Sequence, residues 1–579
     1  GNWNGYIGKA QLVAQPKTRL IYDETKVYPH VDQQTATVRL CLGKNTSLGK
    51  AEKLKIRLQT EAGVVETPVT LQQDSQIVSL PLQGLSLLWD EYHPNLYHLD
   101  IQLKNKKEVI DRQTLTFGMR ELSTDEHFIH INGRPIFLRG TVDGAQFPLT
   151  GHPAMDRAFW DRYFLQLKPW GINTVRFHSW CPPEAAFAAA DSLGFYMQVE
   201  SSSWPNHDVS LSPGNRTAQY ILQESEQILR AYGNHPSLVL LAGGNEPKGK
   251  EWITFGKEWV ERQKNLDPRH LYYTFAVGGS WPWSPDNQVI VRAGLRGLDW
   301  DRKRPECSSD FNAAIDTMHA PFVGHEIGQW CSYPSLRDIP KFSGFMRPSN
   351  AIICRDMLQK NGLAQYADSF LLASGRLQVL CYKNEMERIR RTRNYGGYGL
   401  QALADYTGQG TSNEGILNVF GEPKGYVEPS EWLQWAGEVV PLMRTDQFCY
   451  TNRDTLAFSL ELSNLGQGPL LQQSPTCTIR DQKGNILWQK KYKAQDFAWG
   501  GGQHIADETI ALASLSLKNA SQLTLELTVG RYHNDWHLWV YPTLTDISQS
   551  DIYVATVPDE KVAEILNEGG KVLLLGYNQ

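Results

Sequence analysis

Leu238-Val239-Leu240-Leu241-Ala242-Gly243-Gly244-Asn245-Glu246-Pro247 decides how this chain folds. An apolar run without polar alternation describes a strand covered on both faces, as in a parallel sheet under helices. The run ends in an amide and a carboxylate, and Pro247, which has no N–H for a ladder, stops it. A carboxylate in that position is costly unless it opens onto a polar cleft.

The same rhythm surrounds this stretch. Short apolar strands precede helical stretches at 136–140 and 156–168, 174–178 and 184–193, 195–200 and 219–231, and 238–246 and 252–265. Further strands are expected at 272–277, 289–293, 322–326 and 398–403, so residues 123–432 read as a (β/α)₈ barrel of the TIM type. Period-2 alternation precedes it, as in Leu96-Tyr97-His98-Leu99-Asp100-Ile101, and predicts an immunoglobulin-like β-sandwich over 17–122. Alternation returns in Leu456-Ala457-Phe458-Ser459-Leu460-Glu461-Leu462, and 433–545 read as a second sandwich. Residues 546–579 have a strand-helix-strand pattern; a lone unit of that kind cannot bury itself, which predicts a further α/β domain cut short. The fold class is multidomain, α/β plus all-β: a barrel flanked by β-sandwich domains.

In such a barrel the carboxyl ends of the strands converge on one mouth, so polar residues ending apolar strands are the first candidates for chemistry. Phe322-Val323-Gly324-His325-Glu326-Ile327 repeats the arrangement of the opening stretch about three βα units later, across the mouth from Glu246. Two carboxylates about 5–5.5 Å apart are what retaining cleavage of a glycosidic bond requires. One must remain protonated to give a proton to the leaving oxygen, and the other must be ionised to attack the anomeric carbon. Arg176, in Thr174-Val175-Arg176-Phe177-His178, is the cation suited to hold Glu326 ionised. Glu200 ends another strand and is expected either to bind a substrate hydroxyl, to orient Arg176, or to form a structural ion pair. Asp143, His178, Trp180 and Trp204 follow strands and are candidates for the pocket lining, with packing as the alternative. Strict alternation points His325 away from Glu326, which predicts a core histidine.

Composition narrows the partners. A net charge of −5, from 57 Lys+Arg against 62 Asp+Glu with no long single-sign run, gives no footprint for nucleic acid or an anionic membrane. Eighteen tryptophans within 11% aromatic residues suit a carbohydrate, whose C–H face stacks on aromatic rings, although packing accounts for most tryptophans. The eight cysteines are scattered and no His-rich neighbour completes a zinc site, so neither a metal nor a cofactor is expected. No apolar run of about 18 residues predicts a membrane span. Asn45-Thr46-Ser47 and Asn215-Arg216-Thr217 fit the N-glycosylation pattern, which often matches by chance.

Several stretches together resemble glycoside hydrolase family 2, the group containing β-galactosidases, β-glucuronidases and β-mannosidases. They are Leu88-Trp89-Asp90-Glu91-Tyr92-His93-Pro94-Asn95-Leu96-Tyr97, Phe117-Gly118-Met119-Arg120-Glu121 and Ile131-Asn132-Gly133-Arg134-Pro135-Ile136-Phe137-Leu138-Arg139-Gly140, followed by Gly171-Ile172-Asn173-Thr174-Val175-Arg176, Gly233-Asn234-His235-Pro236-Ser237 and Asn245-Glu246-Pro247. The resemblance implies Glu246 as acid/base, Asn245 as a ligand of the sugar 2-hydroxyl and Glu326 as nucleophile. It also implies that residues 1–16 are the exit of a jelly-roll domain otherwise missing from this chain. The chain departs from the family at Thr141-Val142-Asp143-Gly144-Ala145-Gln146-Phe147-Pro148, where many β-galactosidases are acidic and His-rich, and at Phe177-His178-Ser179-Trp180-Cys181-Pro182-Pro183. Ser202 stands where the metal-binding β-galactosidases have histidine. Sugar identity and metal use therefore do not carry over.

The expectation is an exo-acting, retaining β-glycosidase on oligo- or polysaccharides, β-galactosidase-like, in the periplasm or secreted. Its rivals are an α-L-pentosidase on the same fold and a non-catalytic carbohydrate-binding scaffold. The sequence leaves the oligomeric state open.

Overall fold

Burial on both faces makes the central strands, and the computed structural model describes residues 6–8, 10–43, 54–69, 75–82, 87–206, 209–344, 346–406, 413–543 and 551–575. The strands β1 (Leu138–Asp143), β2 (Thr174–Phe177), β3 (Tyr196–Glu200), β4 (Leu238–Ala242), β5 (Leu271–Tyr273), β6 (Ile290–Arg292), β7 (Phe322–Ile327) and β8 (Gly397–Leu400) form one parallel sheet. Their order is β5-β4-β3-β2-β1-β8-β7-β6. The ring closes beyond β5, where Val277 N donates to Val291 O at 3.1 Å and Ala293 N to Val277 O at 2.9 Å.

Strand parity sorts the side chains. Val175, Phe177, Met197, Val199 and Tyr272 join the outer core with α1 (Arg157–Leu167), α2 (Glu184–Leu193), α3 (Arg216–Tyr232), α4 (Trp252–Leu266), the long α5 (Ala367–Arg391) and α6 (Pro429–Ala436). Alternate positions of the same strands belong to a second cluster with Tyr196, Leu240 and Tyr273, closed by Ile129, Ile131 and Ile136. The latter three lie in antiparallel strands at Ile129–Ile131 and Arg134–Ile136, joined across Asn132 and Gly133 at φ 53° and 74°. Asn-Gly suits this turn because both central residues need positive φ. The first barrel strand therefore starts at Leu138 instead of 136, and β4 ends at Ala242 well short of 246. Asn215 caps α3 by accepting from Ala218 N at 2.8 Å and donates to Ser210 O at 2.8 Å, so its amide serves the fold. Asn45-Thr46-Ser47 lies outside the described residues, as do 1–5 and 9 within the stretch 1–16.

A four-stranded sheet in the order Gly63–Pro68, Leu54–Thr60, Tyr97–Asn105, Glu108–Phe117 packs with a three-stranded one to form the first sandwich. Its exit delivers Arg120 into the amino end of the barrel, where Nε donates to Pro236 O at 3.0 Å and Nη2 to Leu238 O at 2.7 Å, with a further bond to Arg269 O. The second sandwich pairs the sheet Val439–Arg444, Thr455–Asn464, Gly500–Ala511 with a five-stranded sheet. It reaches α5 through Glu387, which accepts from Asn534 Nδ2 at 2.8 Å and Trp536 Nε1 at 2.9 Å. At the carboxyl end, Ile552–Ala555 and Lys571–Leu574 pair in parallel around the helix Glu560–Asn567. Among the described residues no helix is long and apolar enough to cross a membrane.

Candidate active site

Inward parity on β2 and β3 brings Arg176 and Glu200 together inside the barrel, both almost fully buried. Arg176 spends its guanidinium on three partners: Nε donates to Glu200 Oε1 at 2.7 Å, Nη1 to Glu326 Oε1 at 3.1 Å and Nη2 to Asn245 Oδ1 at 2.8 Å. A planar, permanently charged fork meets three acceptors in a way an ammonium could not. Glu200 is satisfied in turn by Ser179 N at 2.8 Å and Tyr273 Oη at 3.2 Å, so of the three expectations for it the orienting one fits this geometry.

Two glycines set the end of β4. A Cβ at Gly244 would lie 2.3 Å from Ser203 O, and its φ of 141° is closed to other residues, so the strand turns here beside the segment following β3. Beyond the turn Asn245 is buried and Glu246 reaches the mouth, its Oε2 accepting from Trp204 Nε1 at 2.9 Å and Asn206 Nδ2 at 3.0 Å. Glu246 has φ 41° and Glu326 φ 52°, the left-handed region that costs an L-residue energy unless its surroundings hold it. For Glu326 the surroundings include Arg296, which donates to the carbonyls of both His325 and Glu326.

The left-handed residue and the register shift between Gly324 and Ile327 break the period-2 pattern of β7. His325 is therefore not turned away from Glu326: its Nε2 lies 3.3 Å from Glu326 Oε1, and His178 Nε2 lies 3.6 Å from the same oxygen. Burial alone would raise the Glu326 carboxyl, but His325, Arg176 and His178 outweigh it and bring it down to about 2. Burial pushes His325 itself down to about 3, so at neutral pH that ring is uncharged and Arg176 is the cation that holds Glu326 ionised.

Asp143 and Trp180 do not join this cluster. The Trp180 ring is buried among Phe147, Trp160 and Phe177, 5.6 Å from the last by centroids, and its Nε1 donates to Asp143 O at 3.2 Å. Asp143 accepts from Ala145 N at 2.8 Å and interacts with Tyr163 of α1, outside the barrel wall; burial raises it to about 6. The segments after β1 and β2 fold back onto α1, so position after a strand did not ensure position in the mouth. Trp204 is 38% exposed and packs edge-on against His178, with centroids 4.9 Å apart.

Sequence reasoning missed Asn206, Tyr273 and Arg296. Tyr273 carried the signal that found Glu200, a polar group at an inward position ending a strand. Asn206 and Arg296 lie in connecting segments, where no periodicity marks them.

Comparison with known proteins agrees with this architecture. The pattern for glycosyl hydrolases family 2 matches residues 20–120 and that for the TIM barrel domain of the same family matches 122–379, more than half the chain together. Residues 454–542 match a domain of unknown function, DUF8488. β-Glucuronidase of Mus musculus is 24% identical over 270 residues, which cover 46% of this chain and 40% of that protein. β-Galactosidase of Vibrio vulnificus strain YJ016 is 23% identical over 271 residues, 44% of this chain and 26% of that protein. The chain thus matches less than half the length of these two relatives. Among solved structures, a GH2 β-galacturonidase from Eisenbergiella tayi bound to galacturonate superposes with a TM-score of 0.54 at 16% identity, covering 73% of each chain. At that identity the likeness is one of fold. Matched sandwich, matched barrel and the run of shared motifs lead to one conclusion: this chain belongs to glycoside hydrolase family 2.

Proposed function

We propose that the chain is a retaining, exo-acting β-glycosidase, with Glu326 as nucleophile and Glu246 as general acid/base. The observation that carries this is the Arg176 fork, which holds one carboxylate ionised at the mouth and ties it to the asparagine that precedes the other. Glu326 attacks the anomeric carbon while Glu246 protonates the leaving oxygen; Glu246 then takes a proton from the water that releases the glycosyl group. Asn245, its Oδ1 engaged by Arg176, has its amide N–H groups left to donate to the sugar. Trp204 and Asn206 aim the Glu246 carboxylate, and Trp204 offers an exposed aromatic face to a sugar ring.

A neutral glycoside such as a β-galactoside is the leading substrate. Arg176, Arg292 and Arg296 all bond internal acceptors, Arg292 through the carbonyls of Trp281 and Gly279, which favours a neutral sugar over a uronate. The second reading, a uronide, is favoured by the names of β-glucuronidase relatives. A panel of aryl β-galactosides, β-glucuronides, β-mannosides and α-L-arabinosides separates the two, and turnover of none would return the protein to a binding role. A periplasmic or secreted location goes with the proposed substrate class.

Truncation distinguishes the two glutamates. Glu326→Ala is expected to abolish turnover of every glycoside. Glu246→Ala loses proton transfer, about 10²–10⁴-fold, yet still forms the glycosyl-enzyme from an activated aryl glycoside. Azide, which needs no deprotonation, should then restore turnover and give a β-glycosyl azide. Equal loss in both variants without rescue would remove Glu246 from its role.

A further inference from the structure

A cavity of 470 Å³ opens between α1, the segment following β1 and the segment following β8, and neither Arg176 nor either glutamate of the mouth lines it. Small-molecule sites occupy about 300–1,000 Å³. Phe147, Phe159 and Phe420 supply aromatic surface, and Asp143 and Asp405 supply carboxylates. Asp405 is 6% exposed; its Oδ1 accepts from Gly415 N at 3.0 Å and Lys424 Nζ at 2.8 Å, which leaves Oδ2 to accept from a donor in the cavity that Asp405 lines. Asp143 is 8% exposed and accepts from Ala145 N. A carboxylate oxygen in that position can accept from solvent or from the hydroxyl of a ligand.

We propose that this cavity is a second carbohydrate site, which takes a neutral saccharide with its C–H face against the phenylalanines and a hydroxyl donated to Asp405 Oδ2. The charge decides the class of sugar. The titratable groups facing the cavity are Asp143, Asp156, Tyr163 and Asp405, the last paired with the buried Lys424, with Arg162 exposed at the rim, so an anionic sugar that passed the rim would meet carboxylates and, among the described residues, no free cation. Burial raises Asp143 and Asp405 to about 6, so both are largely ionised acceptors at neutral pH. The cavity lies where β1 and β8 end, on the face that carries Glu246 and Glu326, and is suited to hold a distal part of an oligosaccharide chain. That purpose rests on the glycosidase reading, whereas binding itself does not.

The test uses the full chain carrying Glu326→Gln, which prevents turnover. Galacto-, manno-, xylo- and glucotetraose are titrated by calorimetry and soaked into crystals, with and without Val419→Trp to fill the cavity or Phe159→Ala to remove aromatic surface. Sugar density against Phe159 and Asp405, lost in Val419→Trp and weakened about tenfold or more in Phe159→Ala, is the expected result. If the sugars occupy only the mouth, or none of the four enters the cavity, the proposal is overturned. On the otherwise native chain, Val419→Trp should raise KM for the cleaved tetrasaccharide about tenfold while leaving kcat/KM for the aryl glycoside within about twofold. Failure of every aryl glycoside would sink the catalytic reading, and calorimetry would still decide the cavity.

Discussion

At the scale of single residues, Arg176 is the position where small chemical changes have the largest consequence. Arg176→Lys keeps the charge and loses the fork, so at most part of the Glu200, Asn245 and Glu326 set is retained. Charge-assisted bonds contribute about 1.5–3 kcal/mol each, so kcat/KM should fall by about 10² or more, with Glu200→Gln showing part of the same loss. The depressed Glu326 carboxyl also ties folding to acid. Its folded value of about 2 lies below the ordinary 4.5, so its stabilisation is present above 4.5 and is lost as pH falls from there through about 2. The difference in denaturant midpoint between the native chain and Glu326→Gln should accordingly shrink across that window. Trp204→Phe removes one donor from Glu246 and should slow substrates with poor leaving groups more than activated aryl glycosides, as read from the ratio of their kcat values. Glu326, Arg176 and Glu200 were legible because a polar residue near the end of a buried strand has few explanations, whereas Glu246 lies four residues beyond the end of β4 and was marked by the Asn245-Glu246-Pro247 stop. His325 is the buried histidine that alternation predicted, 2% exposed, but its direction was misread, because alternation holds only where φ stays negative and Glu326 at 52° breaks it.

At the scale of elements, the segment around Glu326 is shaped from behind by α5. Glu385, buried on that helix, accepts from Gly297 N at 2.6 Å and Trp330 Nε1 at 2.7 Å, joining the segments that follow β6 and β7. Tyr382 stands so close that a Cβ at Gly328, whose φ is 73°, would lie 2.1 Å from its ring. Gly328→Ala should therefore destabilise the fold by more than the roughly 1 kcal/mol of backbone conformation alone and depress turnover with it. Urea unfolding and aryl-glycoside kinetics check the two parts, and an unaltered kcat would mean that the segment does not shape the surroundings of Glu326. The strand β4 could be read from sequence because it is apolar throughout, and α2 because its boundaries follow Pro183 and Gly194. The start of β1 could not, because Ile136 looks like a barrel strand and belongs to a hairpin; Asn132-Gly133 was the available signal.

At the scale of the whole molecule, sandwich, barrel and sandwich meet through buried polar bonds as well as apolar surface. Arg120→Met would remove this donor from the carbonyls of Pro236 and Arg269, at about 1–3 kcal/mol for each group left unsatisfied, while Leu238 O keeps His270 Nδ1 at 2.7 Å. A lower denaturant midpoint is expected, and an unchanged one would mean that other donors reach these carbonyls. Alternation made both sandwiches legible, but a contact such as Arg120 with the entry of β4 joins residues far apart in sequence, and no local pattern records it. Its consequence concerns how such proteins can be recombined. Arg120 grips the first residue of the strand whose far end leads to Asn245 and Glu246, so the sandwich is not a cassette that can be exchanged freely between relatives. A chimera would inherit a working mouth only if the donor sandwich brought an arginine of the same reach, and a lineage that lost it would have to rebuild the foot of that strand before it could vary the head.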